Sequence, residues 1–409
     1  MTDHLTGIGD AWDPDPGLDF PTYAKHLADT LRHAEPPQLT LGVFGGYGSG
    51  KTTLMQAIRR DLGADPGEVP PVTVWFNAWR YDHERHLFLP FLAALEREGL
   101  VGDPVHKKSL ELAFRSFLYG LKLKAPFLEL SIDRAIDREK ELTEEEQQQS
   151  RGLASLTGGY VDIPQELGKL SRLKDGGSRR IVVFIDDLDR CVPSKAFQLL
   201  EAMKAFTDIE GFLFVVGLDP RVISRYLDDK FAKRPPVTAE EYLEKLFQVA
   251  FQIPEPTTEQ ITALLPRLKT VLPEPTGKVL DEAVAYLPRS LRRIKRLLNA
   301  HQVLLALAPQ SSPELLLALL ILQDLWPGIY GMLYSFGADF LRRLAFYRRG
   351  GDLEKIGQEP LDKAVADALK NEAFVGFYRA IVPHVLPDDG QALEAYLRLL
   401  GKPKEKFAG

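Results

Sequence analysis

Residues 38–63, QLTLGVFGGYGSGKTTLMQAIRRDLG, decide the fold. An apolar run rich in β-formers (38–45) enters Gly45-Gly46-Tyr47-Gly48-Ser49-Gly50-Lys51-Thr52, and helical periodicity then continues to Gly63. The octapeptide fits G-x-x-x-x-G-K-[ST] in full. A strand before it and a helix after it separate a phosphate-binding loop from a glycine-rich turn that merely precedes a helix. Glycines let successive N–H groups turn inward around phosphate oxygens, and the following helix adds its positive end. In that chemistry Lys51 reaches the β- and γ-phosphates and Thr52 sets its hydroxyl on Mg²⁺.

Working outward, PVTVWFNAW (71–79) is a second strand-like run, while IVVFIDDLD (181–189) and FLFVVGLD (212–219) are continuous apolar runs that end in acids. Such runs belong to strands buried on both faces of a parallel sheet, and their alternation with helical stretches predicts a three-layer α/β domain. Asp186 stands at the C-terminal end of its strand, where open parallel sheets bind ligands, and is the candidate Mg²⁺ ligand. Asp187 and Asp189 are both candidates to orient a water for attack on a γ-phosphate, and spacing does not choose between them. Asp219 either senses that phosphate from the neighbouring strand or caps the helix that Pro220 begins.

The chain has 409 residues, which at about 150 per domain predicts two to three domains. Hydrophobic residues make up 45% and charged ones 26%, which excludes wholesale disorder. A net charge of −6 argues against a surface coated with nucleic acid, though a local basic patch stays open. With one cysteine, Cys191, neither an internal disulfide nor a cysteine-built zinc site can form. A reducing cytoplasm is the compartment this predicts. The start, MTDHLTGIGDAWDPDPG, lacks a signal-peptide pattern, and no segment supplies the 18 or so apolar residues of a spanning helix.

Five segments follow from the pattern: an N-terminal arm with the first half of the P-loop domain (1–83), a helical insertion (84–178), the second half (179–254), a helical lid (255–308) and a C-terminal helical region (309–409). The acidic, Gln-rich end of the insertion (139–150) is expected to be partly disordered. Prolines 254, 256, 266, 273, 275 and 288 are expected to punctuate short lid helices.

In order, GGYGSGKTT, FNAWRYD (76–82), VVFIDDLDRC (182–191), VVGLD (215–219), YLEKLFQVAFQIP (242–254) and SLRRIKRLLN (290–299) resemble the KAP family of P-loop NTPases, in the STAND branch of the AAA+-like ATPases. The resemblance covers about residues 15–305. It implies ATP at Gly45–Thr53, Mg²⁺ at Thr52 and Asp186, and catalysis by Lys51 with Asp187 or Asp189. Asn77, Trp79 and Arg80 become a signature element, and Arg292, with Arg296 one turn on, takes the place of the family's lid arginine. Leu291 stands where a proline is common, and Tyr47 replaces a frequent tryptophan. Many relatives carry membrane helices inserted in the domain, whereas 84–178 is too charged to span.

Near the lid, Leu287, Leu291, Ile294 and Leu298 form an apolar stripe and Arg289, Arg292, Arg293 and Arg296 a basic one. A second basic cluster, Arg342-Arg343 with Arg348-Arg349, flanks Phe346 and Tyr347. The expectation is a slow ATPase acting as a conformational switch, and the resemblance to the KAP family implies a setting beside effector proteins in bacterial antiviral defence or signalling, with homo-oligomerisation compatible. The alternative is a DNA-stimulated ATPase using the basic clusters; a small-molecule kinase fits less well, because 135 residues separate Lys51 from Asp186.

Overall fold

The computed structural model describes residues 18–64, 70–84, 87–100, 168, 170–171, 179–204, 207, 209–231, 238–270, 272–348, 359–382 and 390–402. The arm at 10–17, most of the 84–178 insertion with its acidic end, Arg349 and His384 lie outside these residues. The described residues fall into two compact units that divide between Pro254 and Glu255.

The first unit begins with α1 (Phe20–His33), which buries Phe20, Ala24, Leu27, Ala28 and Leu31. Then come β1 (Leu39–Phe44), α2 (Lys51–Leu62), β2 (Val72–Asn77), a 3₁₀ turn (Ala78–Tyr81) and α3 (Phe88–Arg97). After the insertion follow β3 (Ile181–Asp186), a 3₁₀ turn (Leu188–Arg190), α4 (Pro193–Lys204), β4 (Phe212–Leu218), α5 (Pro220–Phe231), α6 (Ala239–Leu246) and β5 (Val249–Gln252). The five strands form one all-parallel sheet in the order β2-β3-β4-β1-β5.

Burial follows position in that order. β3 and β4 are buried at every residue, as their unbroken apolar runs require, because helices cover both faces. β2 and β5 are the edges and show partial burial, β5 alternating residue by residue. β5 had no counterpart among the expected strands. It is four residues long and completes the sheet against β1, with Leu41 opposite Val249 and Phe44 opposite Gln252. Tyr23 of α1 sets its ring 5.3 Å from that of Phe251, and Arg32 donates to the carbonyl of Asp61 at 2.8 Å, so α1 is tied to the edge strand and to the end of α2.

The register brings the functional ends level. Asn77 pairs with Asp186 and Phe44 with Leu218, so the phosphate loop, both acidic strand ends and the β2 turn all leave the sheet at one edge. β4 lies between the strand that feeds the loop and the strand that carries Asp186.

Every described element of the second unit is helical: α7 (Thr258–Lys269), α8 (Glu274–Ala283), a 3₁₀ turn (Val284–Tyr286), α9 (Leu291–Leu307), α10 (Pro313–Leu325), α11 (Pro327–Phe336), α12 (Ala338–Arg348), α13 (Pro360–Leu369), α14 (Glu372–Ala380) and α15 (Gly390–Leu400). One continuous core runs from Ile261 to Leu397 and joins the 255–308 helices to those that follow. At its centre α10 buries nine consecutive residues, Leu315–Gln323, which accounts for its all-round apolar sequence. Prolines 273 and 275 do open α8, whereas Pro266 lies inside α7, a place where its missing N–H and ring are tolerated only through tertiary packing of Ile261, Leu264, Leu265 and Leu268. Among the described residues, no helix is long and apolar enough to cross a membrane.

Candidate functional site: the phosphate loop and its carboxylates

The loop turns between β1 and α2 on two glycines with positive φ, Gly48 at 81° and Gly50 at 95°. A Cβ at Gly45 would lie 2.4 Å from Ser49 Oγ and 3.0 Å from Ser49 Cβ, and one at Gly46 would meet the movable Arg221 Nη2 at 2.8 Å. Packing thus adds to backbone conformation at Gly45, the first glycine of the motif.

Lys51, first residue of α2, folds back over the loop. Its ammonium donates to the carbonyls of Gly45 at 2.9 Å and Gly46 at 3.3 Å, and pairs with Asp189 Oδ2 at 3.1 Å. Thr52 donates its hydroxyl to Asp186 Oδ1 at 3.1 Å, across 134 residues of chain. The spacing-based candidates Lys51, Thr52, Asp186 and Asp189 thus meet in one place. The same Asp189 oxygen accepts the backbone N–H of Asp219 at 3.1 Å, which fixes it to the end of β4.

Asp187 is placed differently. Its φ of 56° lies in the left-handed region, and its carboxylate takes two partners: Asn77 Nδ2 donates to Oδ2 at 2.8 Å and Arg190 Nε reaches Oδ1 at 2.8 Å. Asn77 meanwhile caps the 3₁₀ turn by accepting the Arg80 N–H at 3.1 Å. Asp219 is built as a cap: Oδ1 accepts from the Arg221 backbone, and both oxygens bind the Arg221 guanidinium, at 3.0 and 2.8 Å. Burial resists its ionisation, but the Arg221 hydrogen bonds, with the charges of Arg221 and Lys51, outweigh that and hold the carboxyl below its usual range.

The buried Asp186 is pushed up to about 6, by desolvation first and then by the charge of Asp187; the Thr52 and backbone hydrogen bonds only partly offset this. A paired hydroxyl and carboxylate, short of positive charge, is the donor chemistry of a hard divalent cation. No group of three His, Cys, Asp or Glu side chains gathers around a metal position among the described residues. Such a cation must therefore complete its shell with phosphate oxygens and water, as Mg²⁺ does. Ser49 Oγ is buried without a hydrogen-bond partner in the loop, so a polar atom there awaits an acceptor or donor. The residues fit a nucleotide and its cation.

Two contributors, Gly217 and Arg221, escaped the sequence reading, whereas an ion pair from Arg190 to one of the strand-end acids was expected and falls on Asp187. Gly217 leaves room beside the acid, since a Cβ there would stand 3.5 Å from Asp186 Oδ1 and 2.6 Å from Met55 Sδ. Arg221 lies against Gly46, and Arg190 holds Asp187. Gly217 and Arg221 act through contacts between distant segments, whereas Arg190 lies only three residues after Asp187, where a cation just behind a strand-end acid is a usable signal. Arg292 sits in the first turn of α9 in the second unit. In that helix Ile294 and Leu298 are buried as the stripe predicted, while Arg293 is exposed and pairs with Asp324 at 2.9 Å.

The model of the KAP family P-loop domain matches residues 20–308. The chain belongs to the KAP family. This KAP protein is 24% identical over 234 residues to the Phage T7 exclusion protein of Escherichia coli (strain K12), a stretch that is 53% of this chain and 30% of that protein. It therefore spans less than a third of that relative's length. Two structures of the Aeropyrum pernix ORC2 protein also resemble it, each at 14% identity. The ADP form gives a TM-score of 0.40 over 96% of this chain and 93% of that one, and the ADPNP-ADP complexes give 0.37 over 93% of each. As a KAP P-loop domain, the chain is a nucleotide-binding protein.

Proposed function

We propose that this KAP protein binds ATP with Mg²⁺ and hydrolyses it slowly, using the nucleotide as a conformational switch in a cytoplasmic bacterial assembly. The convergence of Lys51, Thr52, Asp186 and Asp189 carries this reading. Lys51 already spends its donors on two carbonyls and a carboxylate, positions that phosphate oxygens would replace. Gly45–Thr53 cradles the phosphates, and Thr52 and Asp186 hold the cation, which neutralises charge developing on them. Asp187, at the strand end and outside the Lys51 pair, orients the attacking water, and Asp189 keeps Lys51 in register with the loop. Arg292 is the lid cation proposed to meet the nucleotide.

The exclusion of phage T7 that names the Escherichia coli relative supports a defence setting, with a protein effector as partner. Ion pairs of Arg293 with Asp324, Arg342 with Asp339 and Arg343 with Asp362 occupy three of the arginines on which a DNA-stimulated reading relies. Full-length protein with Mg²⁺-ATP, assayed beside Lys51→Ala and Asp186→Asn with and without DNA at two salt concentrations, tests the proposal. Binding and turnover that both variants lose by at least about tenfold support it. Identical behaviour of wild type and Lys51→Ala overturns it, and salt-sensitive stimulation by DNA transfers the protein to the alternative.

A further inference from the structure

Two large rings stand out in water beside the site: Tyr47 is 64% exposed and Trp79 is 52% exposed. The Arg190 guanidinium lies over both, its central carbon 5.6 Å from the Tyr47 ring centroid and 5.2 Å from that of Trp79. Both distances are within the roughly 6 Å over which a cation is attracted to an aromatic face. A planar guanidinium offers rings its faces and carboxylates its edge, and the edge of Arg190 binds Asp187 Oδ1 at 2.8 Å. One side chain therefore joins the crest of the phosphate loop, the turn after β2 and the carboxylate after β3.

We propose that Arg190 is a positioning residue that reports the occupancy of the phosphate loop to Asp187. The proposal rests on the reading of Asp187 as the water-orienting carboxylate. Before nucleotide arrives, Arg190 and Asn77 hold the two oxygens of Asp187, whose backbone lies in the left-handed region that Asp and Asn tolerate better than other non-glycine residues. An oxygen engaged by the guanidinium at that distance is not open to a water. Phosphates entering beneath Tyr47 bring competing negative charge and move the ring on which the guanidinium is stacked. Arg190 then loosens its hold, and Oδ1 becomes available to a water. A lysine is a poor substitute, because an ammonium has no planar face to lay over the rings while its edge binds a carboxylate.

The test uses full-length protein, Mg²⁺ and adenylyl imidodiphosphate, with affinity from calorimetry. The emission of Trp79 is isolated as the difference between wild type and Trp79→Phe. Binding is expected to shift that emission in wild type and to leave it unmoved in Arg190→Gln. With ATP, Arg190→Gln and Trp79→Ala are expected to raise turnover about threefold to tenfold while the dissociation constant stays within about twofold; Trp79→Phe, which keeps a ring, stays nearer wild type. Trp79 is exposed and Arg190 half-buried, and thermal unfolding confirms that the variants fold. Nucleotide binding without a Trp79 response overturns the coupling and leaves the proposed function standing. Lower turnover in Arg190→Gln at unchanged affinity, or equal behaviour of the Ala and Phe variants at Trp79, also overturns it. A Trp79 response without hydrolysis supports the coupling and defeats the hydrolysis reading, and absence of binding removes both.

Discussion

The side-chain amide of Asn77 donates to Asp187 Oδ2 at 2.8 Å, so the residue that closes β2 holds the carboxylate that follows β3. Asn77→Ala releases that oxygen and also removes the cap on the Arg80 N–H. Loss of a cap costs about 1 kcal/mol, visible as a lower midpoint in urea. ATP turnover is expected to rise severalfold with unchanged affinity. A fall in turnover would show that Asn77 aligns Asp187 for the reaction rather than restraining it.

Lys51 and Asp189 form an ion pair in which each side chain is only 10% exposed. A nucleotide must compete with Asp189 for the ammonium. Asp189→Asn removes the competing charge, and ATP affinity is expected to tighten about threefold to tenfold, the equivalent of roughly 1 kcal/mol. Calorimetric titration of the two proteins decides it, with weaker binding as the contrary result.

Cys191 is 4% exposed, and its thiol is pushed up to about 12 by burial, followed by the charges of Asp82, Asp187 and Asp189. A thiol so far from ionisation is a poor nucleophile. An aromatic disulfide reagent at pH 8 is expected to react only as fast as the protein opens, and at once in urea. Because the chain has a single cysteine, the absorbance reads this site alone.

Legibility divides along local and non-local lines. The loop, α2 and four strands, two of them continuous apolar runs, were readable, because periodicity and glycine spacing are local properties. β5 was not: Val249–Gln252 is four residues on an edge, half exposed, and becomes a strand only because Leu41–Phe44 offer it partners. Lys51, Thr52 and Asp186 were found because their chemistry fixes their residue types. The roles of Asp187 and Asp189 separate only through their partners, Asn77 and Arg190 for one and Lys51 and the Asp219 amide for the other. The Asn77, Lys51 and Asp219 pairings join segments that no local spacing relates, whereas Arg190 is only three residues from Asp187. Pro266 misleads for a related reason, since the core under α7 outweighs a local helix-breaking preference.

In the second unit, the buried His301 donates from Nε2 to the Pro313 carbonyl at 2.8 Å, while Nδ1 has no hydrogen-bond partner. Burial lowers its pKa below 6.5, against the opposing effects of that carbonyl and Glu314, so the folded unit keeps it neutral. The unfolded chain takes up a proton near 6.5. Stability from this residue is therefore present above about pH 6.5 and is lost as pH falls toward the depressed folded value. His301→Met is expected to flatten the dependence of the melting temperature on pH between about 5 and 6.5, measured by calorimetry. An unchanged slope would assign the titration to other histidines.

β2 occupies an outer edge of the sheet, and the chain runs from Asn77 to Ile181 before returning as its inner neighbour. A detour that departs from a border strand can grow, shrink or be exchanged without shifting any other strand, and the entropic cost of closing it rises only slowly with its length. The departure point is also the turn that carries Asn77 and Trp79. Whatever sequence evolution places in that detour is attached directly beside the carboxylate that would time hydrolysis, so new inputs can be wired to an unchanged engine.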